Sequence, residues 1–216
     1  MKTYTKGIET KRSIVLWTYQ KLKEENVSSL TVRRIAGELG YSPSILYRYF
    51  ESIDELISVS SVHFLYQYMK EYAKLIDSDN DLLEMYLEGW KLFNQYAFDR
   101  PDIYYSLFWG RYNNTFSDAI MTHYELFPFS DSEKFPEYCY TMFFTDSITE
   151  RDYQILHRCV NEGKIEERAA KFLSRSNPLL VKGILEESLN QPSGEREKMR
   201  KECDKLLENN LEYCVK

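Results

Sequence analysis

The fold of this chain is decided by residues 31–50, which read TVRRIAGELGYSPSILYRYF. Thr31 precedes a short run with helical spacing of apolar residues, and threonine is a favoured cap for the start of a helix. Gly40 ends that run, where a turn needs a backbone conformation with positive φ. Ser42 can cap a second helix that begins at Pro43, because a proline at the first helical position loses no hydrogen bond. The stretch predicts two short helices joined by a tight turn.

The apolar residues of these two helices fit a small shared core. Ile35 and Leu39 lie on one face of the first helix, and Leu46 of the second can pack against them. Ala36 is small enough to let the second helix cross close to the first. This is the geometry of a helix-turn-helix, whose second helix can enter the major groove of DNA. The spacing alone fits an ordinary helical hairpin in a protein core equally well.

Charge is unevenly distributed along the chain. The 216 residues carry a formal net charge of −6 at pH 7. Residues 1–50 hold nine Lys and Arg against four Glu, a net charge of +5, so the remainder carries −11. A basic N-terminal part on an acidic body favours contact of that part alone with a polyanion. A chance fluctuation of composition is the alternative explanation.

The N-terminal sequence is similar to the DNA-binding head of the tetracycline-repressor (TetR) family. The segments that carry the resemblance are 31–36, 40–42 and 46–50, followed by Glu51-Ser52 and Asp54-Glu55-Leu56. The resemblance covers about residues 10–60. It implies three N-terminal helices that bind double-stranded DNA and a fourth helix that links them to a C-terminal body. In that family the body binds a small-molecule effector and forms the homodimer.

The resemblance also assigns roles to residues of the head. Arg33 is expected to read a base directly, because an arginine can bind guanine through two hydrogen bonds. The residues expected to face base edges are Pro43, Ser44, Ile45, Tyr47 and Arg48. The residues expected to bind phosphates are Thr31, Ser42, Tyr47 and Tyr49. Further phosphate or minor-groove contacts are implied for Arg34, Lys2, Lys6, Lys11 and Arg12, although each lysine fits a solvated surface charge equally well.

Three places depart from the family pattern, the first being Trp17-Thr18, where the family usually has small residues in the first helix. Ile53 stands where the family often has a lysine that contacts a phosphate, so we expect that contact to be missing. Ser52 and Glu55 form the pattern of a capping box, and the amides of the helix they start can still meet the phosphate. Asn26 stands where the family usually has glycine, and asparagine is tolerated in the left-handed conformation that ends helices.

The remainder of the chain also has helical patterns, and no strand pattern with a hairpin turn appears. The predicted fold class is therefore all-α. Helices are expected over about 112–126 and 166–190, the second interrupted or kinked at Asn177-Pro178, with irregular structure over 127–147. The predicted domains are a DNA-binding head at 1–52, a linking helix at 53–76 and a ligand-binding and dimerisation domain at 77–216.

Aromatic residues cluster on three successive helices of the body. The cluster consists of Tyr86, Trp90, Phe93, Tyr105, Phe108, Trp109, Tyr112 and Phe116. Each residue alone fits a protein core, whereas the set exceeds what a small core needs and carries polar groups that suit a ligand. A lipophilic cation held by aromatic faces and by Glu88 or Asp118 fits the acidic body. Neutral aromatic or fatty effectors fit equally well.

The last two helical segments are the predicted homodimer interface. Gly183 lies among apolar residues and permits close approach of another helix, and residues 199–214 form a second apolar face. Two such helices from each subunit form a four-helix bundle in the family. A dimer with two-fold symmetry reads a palindromic operator.

Several classes of protein find no support in the sequence. No apolar stretch of membrane-spanning length and no secretory signal are apparent, and the four Cys show no paired spacing, so a cytoplasmic protein is expected. No nucleophile motif, phosphate loop or pair of catalytic carboxylates appears. We therefore expect neither an enzyme nor a bound cofactor or metal.

The sequence thus predicts a ligand-responsive transcriptional regulator, in the first instance a repressor of a nearby operon. The alternative is a DNA-binding adaptor or activator whose body binds a protein partner. A deep aromatic cavity favours the first function, and a filled core with an exposed apolar patch favours the second.

Overall fold

The computed structural model describes residues 2–78, 80–110, 116–128, 145 and 147–215, with the backbone alone for residues 2–6. Every regular element in these ranges is helical, which confirms the all-α prediction. The α-helices are α1 (Lys2–Glu24), α2 (Val32–Glu38), α3 (Pro43–Tyr49), α4 (Ile53–Ile76), α5 (Leu82–Asp99), α6 (Pro101–Trp109), α7 (Phe116–Leu126), α8 (Ile148–Asn161), α9 (Glu167–Ser188) and α10 (Ser193–Val215). A 3₁₀ turn, Val27–Ser29, lies between α1 and α2.

The first three helices share a small apolar core. Ile14 and Leu22 of α1, Ile35 of α2 and Leu46 of α3 are at most 3% exposed. Phe50, which follows α3, is buried in the same cluster. The core predicted for the two short helices is therefore present, and α1 contributes to it.

Local hydrogen bonds fix the ends of α2 and α3. The Thr31 hydroxyl accepts a hydrogen bond from the backbone N–H of Arg34 at 3.3 Å, as expected for a helix cap. Gly40 has φ of 71°, a conformation that glycine adopts without steric cost. Ser42 stands at the start of α3, but its side chain makes no capping bond. Its hydroxyl instead lies 2.7 Å from that of Ser44.

The linking helix α4 begins with the predicted Ser52 cap, while the Glu55 carboxylate binds the residue before that cap. The Ser52 hydroxyl accepts from the backbone N–H of Glu55 at 3.1 Å, and the Glu55 carboxylate accepts from the N–H of Glu51 at 2.5 Å. This helix packs against α1 of the head and against α5, α6 and α7 of the body. It therefore contacts both parts of the chain along its length.

The structure corrects one local prediction. Asn26 is extended, with φ of −74° and ψ of 152°, because it starts the 3₁₀ turn rather than ending α1 in the left-handed region. Pro178 lies inside α9, and the helix continues through it without interruption. The helix expected from residue 112 is described from Phe116 onwards, because residues 111–115 lie outside the described residues, as does most of 127–147.

The body is built around α5, which contacts α4, α6, α8, α9 and α10. Leu173, Val181 and Leu185 of α9 are fully buried, as are Cys203 and Leu207 of α10. None of the helices described here is long and apolar enough to cross a membrane.

Head and body also meet outside α4. The Asp102 carboxylate at the start of α6 accepts from the backbone N–H of Val27 at 3.0 Å. Arg100 forms an ion pair with Asp102 at 3.2 Å and donates to the backbone carbonyl of Glu25 at 3.4 Å. The Arg12 guanidinium of α1 donates to the carbonyl of the last residue of α7 at 2.5 Å. The head is thus attached to the body through α4, through the segment that follows α1, and through the contact of α1 with α7.

Two glycines of the head provide a matched test of the turn. We expect Gly40→Ala to lower the free energy of unfolding by about 1 kcal/mol, because an added Cβ is strained at positive φ. Gly37 lies inside α2 with open space around it, so Gly37→Ala is expected to stabilise by about 0.5–1 kcal/mol. Urea denaturation measures both; equal effects of the two substitutions would contradict the turn geometry.

A histidine pair lies where head, linker and body meet. His63 of α4 stacks on Tyr19 of α1 at 4.5 Å and meets the ring of His123 of α7 edge-on at 4.2 Å. His123 Nδ1 is 2.9 Å from the carbonyl of Val59 in α4. Burial lowers the pKa of His63 to about 4 and that of His123 to about 3. Both rings are therefore neutral at neutral pH.

This pair predicts a loss of stability in acid. A histidine whose pKa is depressed by folding binds its proton more readily in the unfolded chain, so stability falls as pH drops from about 6.5 towards 4. His63→Phe keeps the stacking on Tyr19 and removes one such group, so its thermal midpoint should depend less on pH in this window than that of the wild type. His157→Phe, at an exposed position, is the control. Identical pH dependence of His63→Phe and wild type would contradict the prediction.

Candidate nucleic-acid interface and body cavity

The outer face of α3 presents the residues predicted to meet DNA. Ser42, Pro43, Ser44, Tyr47 and Arg48 are exposed, and Tyr47 is 58% exposed despite its large ring. Ile45 and Tyr49 are half-buried at the edges of this face. The single buried residue of α3 is Leu46, which points into the core. The helix therefore has one anchored side and one side open to a partner.

The neighbouring helix α2 adds an exposed arginine to this surface. Arg33 is exposed, in contrast to Ile35 and Ala36 on the same helix, which are fully buried. Thr31 is also exposed, and its hydroxyl oxygen already caps α2. A hydroxyl that accepts one hydrogen bond can still donate its own hydrogen to a phosphate.

Arg34 occupies a different environment from Arg33. Its two terminal nitrogens bind both oxygens of Glu25 at 2.6 Å, and its Nε binds Glu38 at 2.9 Å. The hydrogen bonds from Arg34 lower the pKa of Glu25 to about 2, and those from Glu25 raise the pKa of Arg34. The structure thus uses Arg34 to tie α2 to the end of α1. The i, i+4 spacing of Arg34 and Glu38 was a sequence signal only for the ion pair within α2, and not for the contact with Glu25.

The other basic residues suggested for DNA contacts are distributed differently. The Lys11 ammonium lies 5.2 Å from the centre of the Phe50 ring, beside the helix-turn-helix. Arg12 faces the body, where it binds the carbonyl at the end of α7. The side chains of Lys2 and Lys6 lie outside the described residues.

Comparison with known proteins assigns this head to a family. Residues 19–58 match the model of the bacterial regulatory proteins of the tetR family. The chain carries a tetR-family head. The match covers the end of α1, the helix-turn-helix and the beginning of α4, so it concerns the head and not the body. No curated protein matches the chain.

Two solved structures resemble the whole chain. A protein assigned to the TetR-family transcriptional regulators of Rhodococcus sp. is similar with a TM-score of 0.53 and 12% identity, over 93% of this chain and 97% of that one. A protein assigned to the tetR family of transcription regulators from Shewanella sp. PV-4 gives a TM-score of 0.49 and 13% identity, over 92% of this chain and 96% of that one. At 12% identity, the similarity to the Rhodococcus protein shows a shared fold alone. The similarity to the Shewanella protein is too weak to support a conclusion.

Below the tetR-family head, the body contains an aromatic cavity between α4, α5, α6 and α8. Its volume is about 60 Å³. The lining residues are Tyr68, Tyr72, Tyr86, Gly89, Trp90, Phe93, Phe108, Ile148, Arg151, Asp152 and Ile155. A volume of this size accommodates about two water molecules, whereas drug-sized ligands occupy roughly 300–1,000 Å³. Most of the aromatic surface is therefore packed against itself.

The aromatic residues predicted for a ligand site fall into three groups. Those that line the cavity are Tyr86, Trp90, Phe93 and Phe108. Phe116 is buried in the core, and Tyr105 and Trp109 are half-buried away from the cavity lining. Tyr112 lies outside the described residues. Some of these rings therefore line the cavity and others are packed in the core, and ligand binding by the cavity stays a prediction.

A buried carboxylate lies at the cavity wall. Asp152 of α8 accepts hydrogen bonds from the Tyr86 hydroxyl at 3.0 Å and from the Trp90 indole N–H at 2.8 Å. Tyr86 in turn accepts from the amide of Asn177 in α9 at 2.8 Å, and Asn177 accepts from Asn210 in α10 at 2.9 Å. A continuous chain of hydrogen bonds therefore connects the cavity with the last two helices.

Asp152 was not among the residues that the sequence suggested. Its position near the start of a helix is ordinary for aspartate, so local pattern gave no sign of burial. Burial raises the pKa of Asp152 to about 8, against the opposing effect of its two hydrogen-bond donors. The two suggested carboxylates lie elsewhere: Glu88 pairs with Lys91 at 3.0 Å, and Asp118 lines a separate cleft between α4 and α7.

Two variants distinguish the role of Arg34 from that of the neighbouring Arg33. The double variant Glu25→Gln/Arg34→Gln leaves the net charge unchanged, so we expect the salt dependence of DNA affinity to stay as in wild type. Its thermal midpoint should fall, because α2 loses its attachment to α1. Arg33→Gln should instead reduce the slope of log affinity against log salt by up to about one. Titrations at several salt concentrations measure this; a reduced slope for the double variant would mean that Arg34 contacts phosphate.

Proposed function

We propose that this chain is a DNA-binding transcriptional regulator of the TetR family that acts as a homodimeric, effector-responsive repressor of a nearby operon and binds a palindromic operator. The exposed face of α3, anchored by the buried Leu46, is the observation that carries the DNA-binding part. The proposed division is a head at 1–52, the linking helix at 53–76 and a ligand-binding and dimerisation domain at 77–216. We propose a cytoplasmic location and a binding role without enzymatic activity.

Exposed apolar side chains support dimerisation through α9 and α10. Phe172 and Leu179 lie seven residues apart on α9 and are 50% and 55% exposed. On α10, Leu206 and Tyr213 have the same spacing and are 36% and 81% exposed. Residues seven apart share one face of a helix, so each helix presents an apolar stripe. A second copy of the chain would bury both stripes in a four-helix bundle.

The aromatic cavity supports binding of a small effector. It combines apolar walls with a few polar groups, which is the usual composition of a ligand site. Gly89 borders it, and a Cβ at this position would lie 3.0 Å from Cε2 of Tyr72, a wall residue. An effector larger than a small head group therefore needs movement of the surrounding rings, and that movement would shift α4 and α5.

The contacts between head and body provide a route from effector to DNA. The Tyr72 ring belongs to α4, whose N-terminus directly follows the head. The start of α6 also binds the head through Asp102 and Val27. If the effector favours one arrangement of these helices and DNA another, each ligand weakens binding of the other by the same factor.

A second function, a DNA-binding adaptor whose body binds a protein, is favoured by one observation. The exposed stripes on α9 and α10 can equally serve a different protein chain. Sedimentation of the purified chain distinguishes the two functions: a stable dimer supports self-association, and a monomer at micromolar concentration supports a heterologous partner.

The DNA-binding proposal is tested with an operator selected from random duplexes. Arg33→Ala is expected to lower affinity by about 1–3 kcal/mol and to relax preference at one base pair in each half-site. Tyr47→Phe should weaken binding of all sequences more uniformly, because a phosphate contact carries no base information. Arg158→Ala removes the same charge from an exposed position on the body and is the control. Unchanged affinity in both head variants would show that α2 and α3 do not form the interface.

A further inference from the structure

The buried Asp152 carboxyl accepts hydrogen bonds from two side chains but forms no ion pair among the described residues, although the Arg151 side chain lines the same cavity. Its two partners, Tyr86 and Trp90, are neutral groups. Arg151 precedes it in α8, yet its guanidinium lies over the rings of Phe108 and Phe116, at 5.0 and 4.7 Å from their centres. Burying a carboxylate without a cation is costly, because water no longer stabilises the charge.

The direction of these hydrogen bonds shows what kind of ligand group the Asp152 carboxyl can bind. Asn177 donates to the Tyr86 oxygen, so the Tyr86 hydroxyl hydrogen points to Asp152. Trp90 can only donate. Each carboxylate oxygen therefore receives one hydrogen bond and retains lone-pair capacity for another donor. Once the carboxyl is ionised, a ligand anion would meet a group of like charge, whereas a ligand with N–H donors would complete the arrangement.

We propose that Asp152 binds the cationic head of a small organic effector, an ammonium or amidinium group, with the body of the effector against the aromatic walls. The faces of aromatic rings attract cations, and Trp90 and Phe93 line the cavity beside the carboxyl. The cavity volume of about 60 Å³ suits a compact head group. The positive charge of the head stabilises the ionised carboxyl that burial alone disfavours. This inference rests on the effector response proposed above and specifies its chemical class.

Three probes of similar size test the proposed class. Protonated benzylamine, neutral benzyl alcohol and benzoate differ in charge at one position, and calorimetric or ligand-observed NMR titration at neutral pH measures their affinities. We expect benzylammonium to bind at least about tenfold more tightly than benzyl alcohol, and benzoate to bind most weakly. Benzylammonium binding that is undetectable, or no tighter than that of either other probe, would overturn the proposal.

Two variants locate the binding site. Asp152→Asn keeps the shape of the side chain, and we expect it to reduce benzylammonium affinity by about tenfold, to the level of benzyl alcohol. Gly89→Ala should also weaken binding, because the new methyl group displaces the Tyr72 ring. Gly194→Ala adds the same group into open space and should have no effect. If Asp152→Asn does not fold, the relative affinities of the three probes for the wild type and the affinity of Gly89→Ala for benzylammonium still test the proposal. Unchanged affinity in the folded variants places the ligand elsewhere and overturns the proposal.

Operator affinity measured with and without benzylammonium separates the two proposals. Binding that depends on Asp152 but leaves operator affinity unchanged supports the cation site and contradicts the effector response. Tighter binding of benzoate, together with altered operator affinity, contradicts the cation site and supports the effector response.

Discussion

The end of α1 is the point on which the arrangement of the molecule depends. The Glu25 carboxylate binds the Arg34 guanidinium through two hydrogen bonds of 2.6 Å, which fixes α2. The carbonyl of the same Glu25 accepts from Arg100 at 3.4 Å, and the nearby amide of Val27 donates to Asp102 at 3.0 Å. One short segment therefore holds the helix-turn-helix on one side and the body on the other.

This arrangement makes the position of the head depend on the body. A helix-turn-helix that was attached through α4 alone could rotate about the start of that helix. Contacts of α6 with the 3₁₀ turn and of α7 with α1 add two further attachments. Movement of α4 or α6 around the aromatic cavity would therefore change the angle of α3. For a dimer on DNA, that angle determines whether both recognition helices reach successive major grooves.

The sequence predicts the head better than the body for a physical reason. Caps, turn glycines and small cores depend on neighbours within a few residues, so Thr31, Gly40 and the Ser52 cap of α4 are readable from pattern. The Asp152 site joins α5, α8, α9 and α10 from distant parts of the chain, and no local pattern reports such contacts. Arg34 shows the same limit, because its partner Glu25 follows α1 rather than lying in α2, and the resemblance alone suggested DNA. Whether a given aromatic ring lines a cavity or fills the core likewise depends on packing.

Hydrogen–deuterium exchange of the full chain with and without its selected operator duplex tests the central claim most directly. If α2 and α3 form the interface and the end of α1 transmits the contact, protection on DNA binding will appear at residues 31–50 and extend to the amide of Val27. Protection confined to the body, or no change at residues 31–50 when the duplex is bound, would contradict this account.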